Sequence, residues 1–245
     1  MRWPQLSWFV ALGVVGCAVG LSSAREALRR PAKRAAPSRI APQLALDRVA
    51  PAALCVTKGE LTGARVEVPT FRAVVPGYGG DAASIRFIAR GPTAQTRALA
   101  SGEDRRQLGL KLRAKDGCNV VYVMWRTSPK PKLEVSIKHN PGARTSRDCG
   151  ARGYTRIKPQ EVGVLPALAY DTRHELRAEI AGDTLVAWID DQVMWRGTLP
   201  AIARELAGPA GVRSDNLVFE LAALAVDARR GGDADAKCHG AEDAE

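Results

Sequence analysis

The sequence predicts an all-β domain, built as a two-sheet antiparallel sandwich with one short helix. From Cys55 onward the apolar residues recur at every second position, as they do in strands with one buried face. Turn residues separate these segments at regular intervals, and no repeat of about 20 to 50 residues indicates a propeller or a solenoid. The chain has 245 residues, enough for one such domain of about 200 residues with tails.

Residues 1–24 have the layout of a secretory signal. A charge at Arg2 precedes an uncharged apolar run from Trp8 to Val19, which is shorter than a membrane-spanning helix requires. Two cleavage sites fit this segment. The string VVGC resembles a bacterial lipobox, in which Cys17 carries lipid, whereas SSA ending at Ala24 suits an ordinary signal peptidase. Either alternative places the mature chain outside the cytoplasm, anchored in the cell envelope or secreted.

Residues 25–50 predict a basic linker rich in alanine and proline. The chain has a net charge of +10, and its first 50 residues contain eight Lys or Arg against two Asp or Glu. This excess fits either a soluble tether or a segment that rests on anionic lipid headgroups. Nucleic acid is not an expected partner, because the chain is predicted to be exported and contains no recognised nucleic-acid-binding module.

Residues 51–227 form the predicted sandwich. A first strand places Ile85, Phe87 and Ala89 on one face. The segment QLGLKLRAKDGCNVVYVMW predicts a hairpin, since Asp116-Gly117 suits a tight reversal between two alternating strands. The next strand is KLEVSIKH. The stretch after it has no periodicity and is predicted to be a long loop that ends at Cys149.

A second group of strands follows in RHELRAEIAGDTLVAWIDDQVMW, residues 173–195. Leu176, Ala178 and Ile180 share a face, and Gly182 and Asp190 mark the turns of a three-stranded meander. The last predicted strand carries an inward line of Leu217, Phe219 and Leu221. The helical candidate is Leu199–Gly208. Residues 228–245 are rich in Gly, Asp, Ala and Glu and predict a loose C-terminal tail.

Four cysteines remain if Cys17 is lipidated or removed with the signal. An even number of cysteines in an exported chain favours disulfides, and four allow three pairings. We predict Cys55–Cys238, which joins the two ends of the domain, and Cys118–Cys149, which flanks the hairpin and the loop. No Cys-x-x-Cys spacing indicates a zinc site.

The order of these segments resembles a known architecture. HELRAEIAGDTLVAWIDDQVMW followed by AGPAGVRSDNLVFELAALAV is similar to the C-terminal half of concanavalin A-like lectin/glucanase jelly rolls, especially laminin-G-like and 3-keto-disaccharide hydrolase-type domains of bacterial exported proteins. The likeness is close over residues 170–226 and loose over 55–227. The residues that match are His174, Gly182-Asp183, Asp190-Asp191, Gly211 and Ser214-Asp215-Asn216. Because these residues form turns, they indicate a jelly-roll sandwich more strongly than any chemistry.

The resemblance implies carbohydrate recognition on a sheet face. Sugar rings stack on aromatic side chains, and their hydroxyls need paired donors and acceptors. In NVVYVMW both faces are apolar, so either Tyr122 or Trp125 faces a second surface. Across the meander, polar and aromatic side chains opposite the core line form our candidate ligand-binding cluster of Arg177, Glu179, Trp188 and Asp190. The alternative is an ordinary amphipathic sheet surface.

Three classes of function remain open. The first is a non-catalytic module that binds carbohydrate or another cell-envelope partner. The second is a carbohydrate-active enzyme of the keto-disaccharide hydrolase type, but the glucanase pattern E-x-D-x-x-E is absent and no catalytic residue is assigned. The third is a structural envelope protein without a ligand. No cofactor is predicted; the laminin-G-like resemblance implies calcium as the metal to consider, although no dense Asp/Asn cluster is visible.

Overall fold

The computed structural model describes residues 41–231. The predicted signal, most of the linker and most of the C-terminal tail therefore lie outside the described residues. Within the described range, fifteen antiparallel strands form two sheets, so the predicted all-β two-sheet sandwich is confirmed. No helix in this range combines the length and the apolarity needed to cross a bilayer.

The strands are short at the edges of the sheets and long at the centre. Their bounds are β1 Leu46–Val49, β2 Cys55–Lys58, β3 Arg65–Val66, β4 Thr70–Val74, β5 Tyr78–Pro92, β6 Arg106–Leu112, β7 Val120–Ser128, β8 Lys132–Lys138, β9 Tyr154–Arg156, β10 Glu161–Val162, β11 Arg173–Ala181, β12 Thr184–Ile189, β13 Gln192–Thr198, β14 Gly211–Asp215 and β15 Leu217–Arg230.

Among residues 41–231, one sheet has eight strands and the other has seven. The eight-stranded sheet has the order β1-β15-β5-β11-β12-β13-β10, and β3 also pairs with β15. The seven-stranded sheet has the order β2-β4-β14-β6-β7-β8-β9. Since β14 and β15 are separated by one residue, Asn216, the chain passes from one sheet to the other at that point.

The core lies between the sheets and consists of the predicted inward positions. Pairing of β11 with β12 places Leu176 opposite Ile189, and pairing of β6 with β7 places Leu108 opposite Trp125. All four side chains are buried. Removing each large apolar side chain from water stabilises the fold by about 1.5–3 kcal/mol. A slip of one residue would expose a whole line of them, so this alternation determines which side chains face outward.

The predicted helix at Leu199–Gly208 is shorter than expected. The structure has a 3-10 helix at Ala201–Glu205. Pro209 follows closely, and a proline disfavours helical geometry in the residue before it. A four-residue helix, α1 (Ser146–Cys149), lies instead in the stretch predicted as a loop. Reciprocal hydrogen bonds between Thr145 and Asp148 cap its first turn.

One predicted disulfide is present among the described residues. Cys118 and Cys149, 31 residues apart, are joined by a bond of 2.04 Å. Cys55 is buried and disulfide-bonded, but its predicted partner Cys238 lies outside the described residues, as does Cys17. The Cys55–Cys238 pairing and the lipidation of Cys17 therefore stay predictions.

The sheets extend past the predicted borders of the domain. β1 begins at Leu46, within the predicted linker 25–50, and pairs with β15. β15 continues to Arg230, within the predicted tail. Pairing between β1 and β15 thus joins the two ends of the described chain in one sheet.

Candidate functional site

The outer face of the seven-stranded sheet carries a groove of about 530 Å³. It forms because β6, β7 and β14 bury alternate side chains in the core and turn the others outward. Gln107, Tyr122 and Arg213 are outward residues of these three strands and line the groove. The volume is within the range of ligand sites in proteins.

A buried ion pair forms the floor of the groove. Arg213 Nε donates a hydrogen bond to Asp215 Oδ2 at 2.9 Å, and Gln107 Nε2 donates to the same oxygen at 2.7 Å. Arg72 Nη2 lies 3.7 Å from Asp215 Oδ1. Burial by itself raises the pKa of the Asp215 carboxyl, but Arg213 and Arg72 outweigh burial, and the pKa is lowered. Asp215 is therefore held ionised beneath the groove.

Two stacked tyrosines form one wall. The ring centroids of Tyr122 and Tyr154 lie 6.1 Å apart, with an angle of 23° between the ring planes. Tyr122 is buried, whereas Tyr154 is 44% exposed. The Arg213 guanidinium lies 4.8 Å from the Tyr122 ring centroid, and Lys138 Nζ lies 5.3 Å from that of Tyr154. These contacts hold the exposed ring of Tyr154 in place at the groove.

The two tyrosine hydroxyls are in different electrostatic environments. Burial raises the pKa of Tyr122. Burial acts in the same direction on Tyr154, but the charges of Arg213 and Lys138 outweigh it and lower the pKa. Arg213 Nη1 donates to the Tyr154 hydroxyl oxygen at 3.4 Å. The positive charge around Tyr154 therefore favours acceptor groups on any ligand that reaches it.

A loop of residues 93–105 forms the rim, and Asn216 holds it. Asn216 Oδ1 accepts a hydrogen bond from the backbone N–H of Arg97 at 2.7 Å, and its Nδ2 donates to the carbonyls of Arg97 and Arg105 at 3.0 and 2.9 Å. Asn216 is buried and has a φ of 55°, a left-handed conformation that asparagine tolerates better than most residues. The Asn216 side chain, at the crossing between the sheets, thus anchors the rim loop at Arg97 and Arg105.

Glu134, on β8, contacts several basic side chains at the same groove. Glu134 lies 3.1 Å from Arg156 and 3.3 Å from Arg105, and it also contacts Lys132. Burial raises the pKa of Glu134, but Lys132, Arg156 and Arg105 together lower it. Glu134, like Asp215, therefore carries its charge near neutral pH and is neutralised by its neighbours.

The disulfide shapes the end of the groove near α1. Ser146 and Gly150, at the two ends of this helix, line the groove. Cys149 is bonded to Cys118, which lies just before β7. The crosslink therefore ties this wall to the strand that carries Tyr122.

The two aromatic candidates on β7, Tyr122 and Trp125, lie on opposite faces of the sheet. Tyr122 lines the groove. Trp125 is buried between the sheets, where its ring centroid lies 6.1 Å from Phe87 and 5.3 Å from His174. Side chains three positions apart on a strand point to opposite faces, so only Tyr122 reaches the outer surface.

Three candidates, Arg177, Glu179 and Trp188, lie together on the outer face of the eight-stranded sheet. Arg177 pairs with Trp188 across β11 and β12, and its guanidinium carbon lies 5.9 Å from the indole centroid. Glu179 Oε1 accepts hydrogen bonds from the backbone N–H groups of Gln43 and Leu44, both at 3.1 Å. Both Glu179 and Trp188 are buried. The cluster therefore binds the chain's own segment 41–44, next to a smaller cavity of about 320 Å³.

The fourth candidate, Asp190, lies apart from these three. It occupies the turn after β12 with a φ of 49°. Its Oδ2 lies 2.8 Å from His174 Nδ1, and its Oδ1 accepts a hydrogen bond from the backbone N–H of Glu175 at 2.7 Å. These contacts connect the turn to β11. The predicted four-residue cluster is thus brought together only for Arg177, Glu179 and Trp188.

Within residues 41–231, no group of three or more His, Cys, Asp or Glu side chains is arranged to hold a metal ion. The carboxylates that line the groove are engaged by arginines instead.

Comparison with known proteins finds similar solved structures at low sequence identity. No family model and no curated protein matches the chain. Among solved structures, the carbohydrate-binding module CBM66 from Bacillus subtilis matches at 11% identity and a TM-score of 0.48, covering 69% of this chain and 91% of that one. A tetrameric galectin from the ball sponge Cinachyrella sp. matches at 15% identity and 0.41, covering 65% and 99%.

A third solved structure is the Crh5 transglycosylase, with 11% identity, a TM-score of 0.43, and coverage of 79% of this chain and 90% of that one. The structure itself establishes a two-sheet antiparallel sandwich, the arrangement that the resemblance to jelly-roll domains implied. Identities this low do not carry a ligand from those proteins to this chain.

The groove residues were only partly visible in the sequence. Arg213 and Asp215 lie in GVRSDN, whose alternation buries Val212 and Ser214 and turns the two charged residues outward. This alternation can be read from the sequence, and it indicates that Arg213 and Asp215 share the outer face. Tyr154 lies after the stretch predicted as a long loop, and no strand was predicted there, because its strand β9 has three residues, too few for a pattern.

Proposed function

We propose that this chain is an exported, non-catalytic carbohydrate-binding module whose ligand lies in the groove beside Tyr154. The observation that carries the proposal is an exposed aromatic ring, fixed by Tyr122 and Lys138, above a floor of hydrogen-bonding groups. The C–H faces of a sugar ring stack on aromatic rings, and its hydroxyls need donors and acceptors close by.

The groove supplies both kinds of polar group. Arg213, Lys138 and Gln107 carry N–H donors, whereas Asp215 and Ser136 carry acceptor oxygens, and all five line the groove. Such charge-assisted hydrogen bonds are stronger than neutral ones and can compensate for removing hydroxyl groups from water. The combination of one aromatic ring with several polar groups favours a saccharide over an apolar ligand.

The charge states of Asp215 and Glu134 support a binding role over hydrolysis. Glycoside cleavage by the usual route needs one carboxyl with a raised pKa to protonate the leaving group. The pKa values of Asp215 and Glu134 are instead both lowered by neighbouring cations. Neither carboxyl is suited to donate a proton at neutral pH.

Export is supported by the signal-like residues 1–24 and by the Cys118–Cys149 bond, since disulfides persist in oxidising compartments. The proposal includes two alternatives after export: the mature chain is secreted, or it is attached to the membrane through a lipid on Cys17. In either case the module would meet saccharides or other partners of the cell envelope.

The test is a glycan array with the full chain, followed by titration calorimetry on the saccharides that bind. We expect Tyr154→Ala to lower affinity about tenfold, because the stacking surface is lost. Tyr170→Ala is the matched control: Tyr170 is 42% exposed against 44% for Tyr154, and it does not line the groove. Tyr154→Phe keeps the ring and should retain most of the affinity.

Trp188→Ala tests the opposite sheet. If this variant loses saccharide binding while Tyr154→Ala does not, the ligand lies at the Arg177–Glu179–Trp188 cluster and the groove proposal is wrong. A folded chain that binds no saccharide on the array would contradict the proposed function and favour a structural envelope role.

A further inference from the structure

We infer that the groove takes an anionic saccharide, one that carries carboxylate or sulfate groups. The inference rests on the proposed function and specifies its ligand class. It starts from the charges around the groove, where seven Lys or Arg side chains face three acidic ones. The basic side chains are Lys58, Arg72, Arg97, Arg105, Lys138, Arg156 and Arg213.

The three acidic side chains are already engaged within the protein. Each contacts at least one arginine of the same groove: Asp215 contacts Arg213 and Arg72, Glu134 contacts Arg105 and Arg156, and Glu103 contacts Arg105. These carboxylates are therefore poorly placed to receive additional cations. The side chains that line the groove therefore carry four more positive than negative charges.

The exposed part of this excess lies at the rim. Arg97 is exposed on the loop held by Asn216, and the Arg156 side chain on β9 is 62% exposed. By contrast, the Arg213–Asp215 pair on the floor is buried. A ligand lying against Tyr154 would thus have neutralised groups beneath it and cations beside it.

A concave surface of one sign concentrates the electrostatic potential and attracts ligands of the opposite sign. A neutral sugar would leave the like charges of the groove facing one another, whereas carboxylate or sulfate groups would form charge-assisted hydrogen bonds with guanidinium groups, which match their geometry. The groove therefore favours uronate-containing or sulfated saccharides over neutral ones.

The experiment compares ligands that differ only in charge, using the full chain and calorimetry. Oligogalacturonate is paired with its methyl ester, and a sulfated galactan oligosaccharide with its desulfated form. We expect at least one anionic ligand to bind about tenfold more tightly than its neutral partner, with the advantage shrinking as salt is added. The two pairs distinguish carboxylate from sulfate, and a preference in either pair supports the inference.

The double variant Arg97→Gln/Arg156→Gln should weaken binding of the anionic ligand about tenfold and narrow the gap to the neutral one. Arg48→Gln/Arg204→Gln is the matched control, since both arginines are exposed, neither lines the groove, and the change in net charge is the same. Thermal unfolding checks that both variants remain folded.

The possible results separate the two proposals. Equal loss in both double variants, or anionic binding that survives Tyr154→Ala, would mean general attraction to a basic protein and would overturn the inference. Tyr154-dependent binding of neutral ligands without preference for anionic ones would overturn this inference and leave the proposed function standing. Failure of every saccharide to bind would overturn both.

Discussion

Substitution of Asp215 tests most directly how much the buried ion pair on the groove floor stabilises the fold. Asp215→Asn removes its negative charge and keeps its shape, so the buried Arg213 guanidinium loses its counter-ion while Arg72 remains 3.7 Å away. Breaking a buried pair by removing one partner costs about 3–5 kcal/mol. Because the asparagine oxygen still accepts a hydrogen bond, we expect a loss of about 3 kcal/mol in the free energy of unfolding.

Urea unfolding at pH 7, followed by tryptophan fluorescence, measures this loss. Arg213→Gln and the double variant Asp215→Asn/Arg213→Gln complete a double-mutant cycle. The double variant should lose clearly less free energy of unfolding than the two single variants together, because each single change leaves a buried partner unpaired. A loss under about 0.5 kcal/mol for Asp215→Asn, or strict additivity in the cycle, would refute the reasoning.

The same substitution should change the response to acid. The folded-state pKa of Asp215 lies below its usual value, so its ionised form contributes stability above the unfolded-state pKa and loses it as pH falls through the folded-state pKa. The wild-type chain should therefore lose stability below about pH 4, and Asp215→Asn should lose less over that interval. Parallel pH profiles for the two proteins would argue against a stabilising carboxylate.

Two further predictions concern the rim and the N-terminus. Asn216→Ala removes three hydrogen bonds to Arg97 and Arg105; we expect a stability loss of about 3 kcal/mol and faster amide hydrogen exchange in residues 93–105. Glycine tolerates the left-handed backbone at this position. If Asn216→Gly speeds hydrogen exchange in the same way as Asn216→Ala, the effect comes from loss of the asparagine side chain and not from backbone strain. Mass spectrometry of the protein isolated from cells should find a lipid-modified start at Cys17 or an unmodified start at Arg25. An intact Met1 would contradict export.

The alternation of apolar and polar residues in the sequence predicted much of the architecture. The hairpin of β6 and β7 and the meander of β11 to β13 bury the residues that the sequence placed inward, such as Leu108, Leu176 and Ile189. Alternation predicts them well because a one-residue slip would move every apolar side chain on a strand into water. The predicted helix was less accurate, since helix formation over a few residues depends on local tertiary contacts and nearby prolines.

The candidate site was less predictable than the fold. Alternation indicated that Glu179 and Trp188 face outward, but both are buried, and Glu179 accepts hydrogen bonds from Gln43 and Leu44. That contact joins residues more than 130 positions apart, and no local pattern reveals it. Among the aromatic candidates, Tyr122 reached the groove, and Trp125 did not.

The sequence by itself predicted a two-sheet sandwich, because strand periodicity is a local property. Its four cysteines left three pairings open, and the structure shows the predicted Cys118–Cys149 bond. Only the tertiary structure decided that Tyr154 from β9 stacks on Tyr122 beside Arg213 from β14. The order of strands within a sheet brings these three residues together, and that order depends on how the whole core is buried rather than on any single segment.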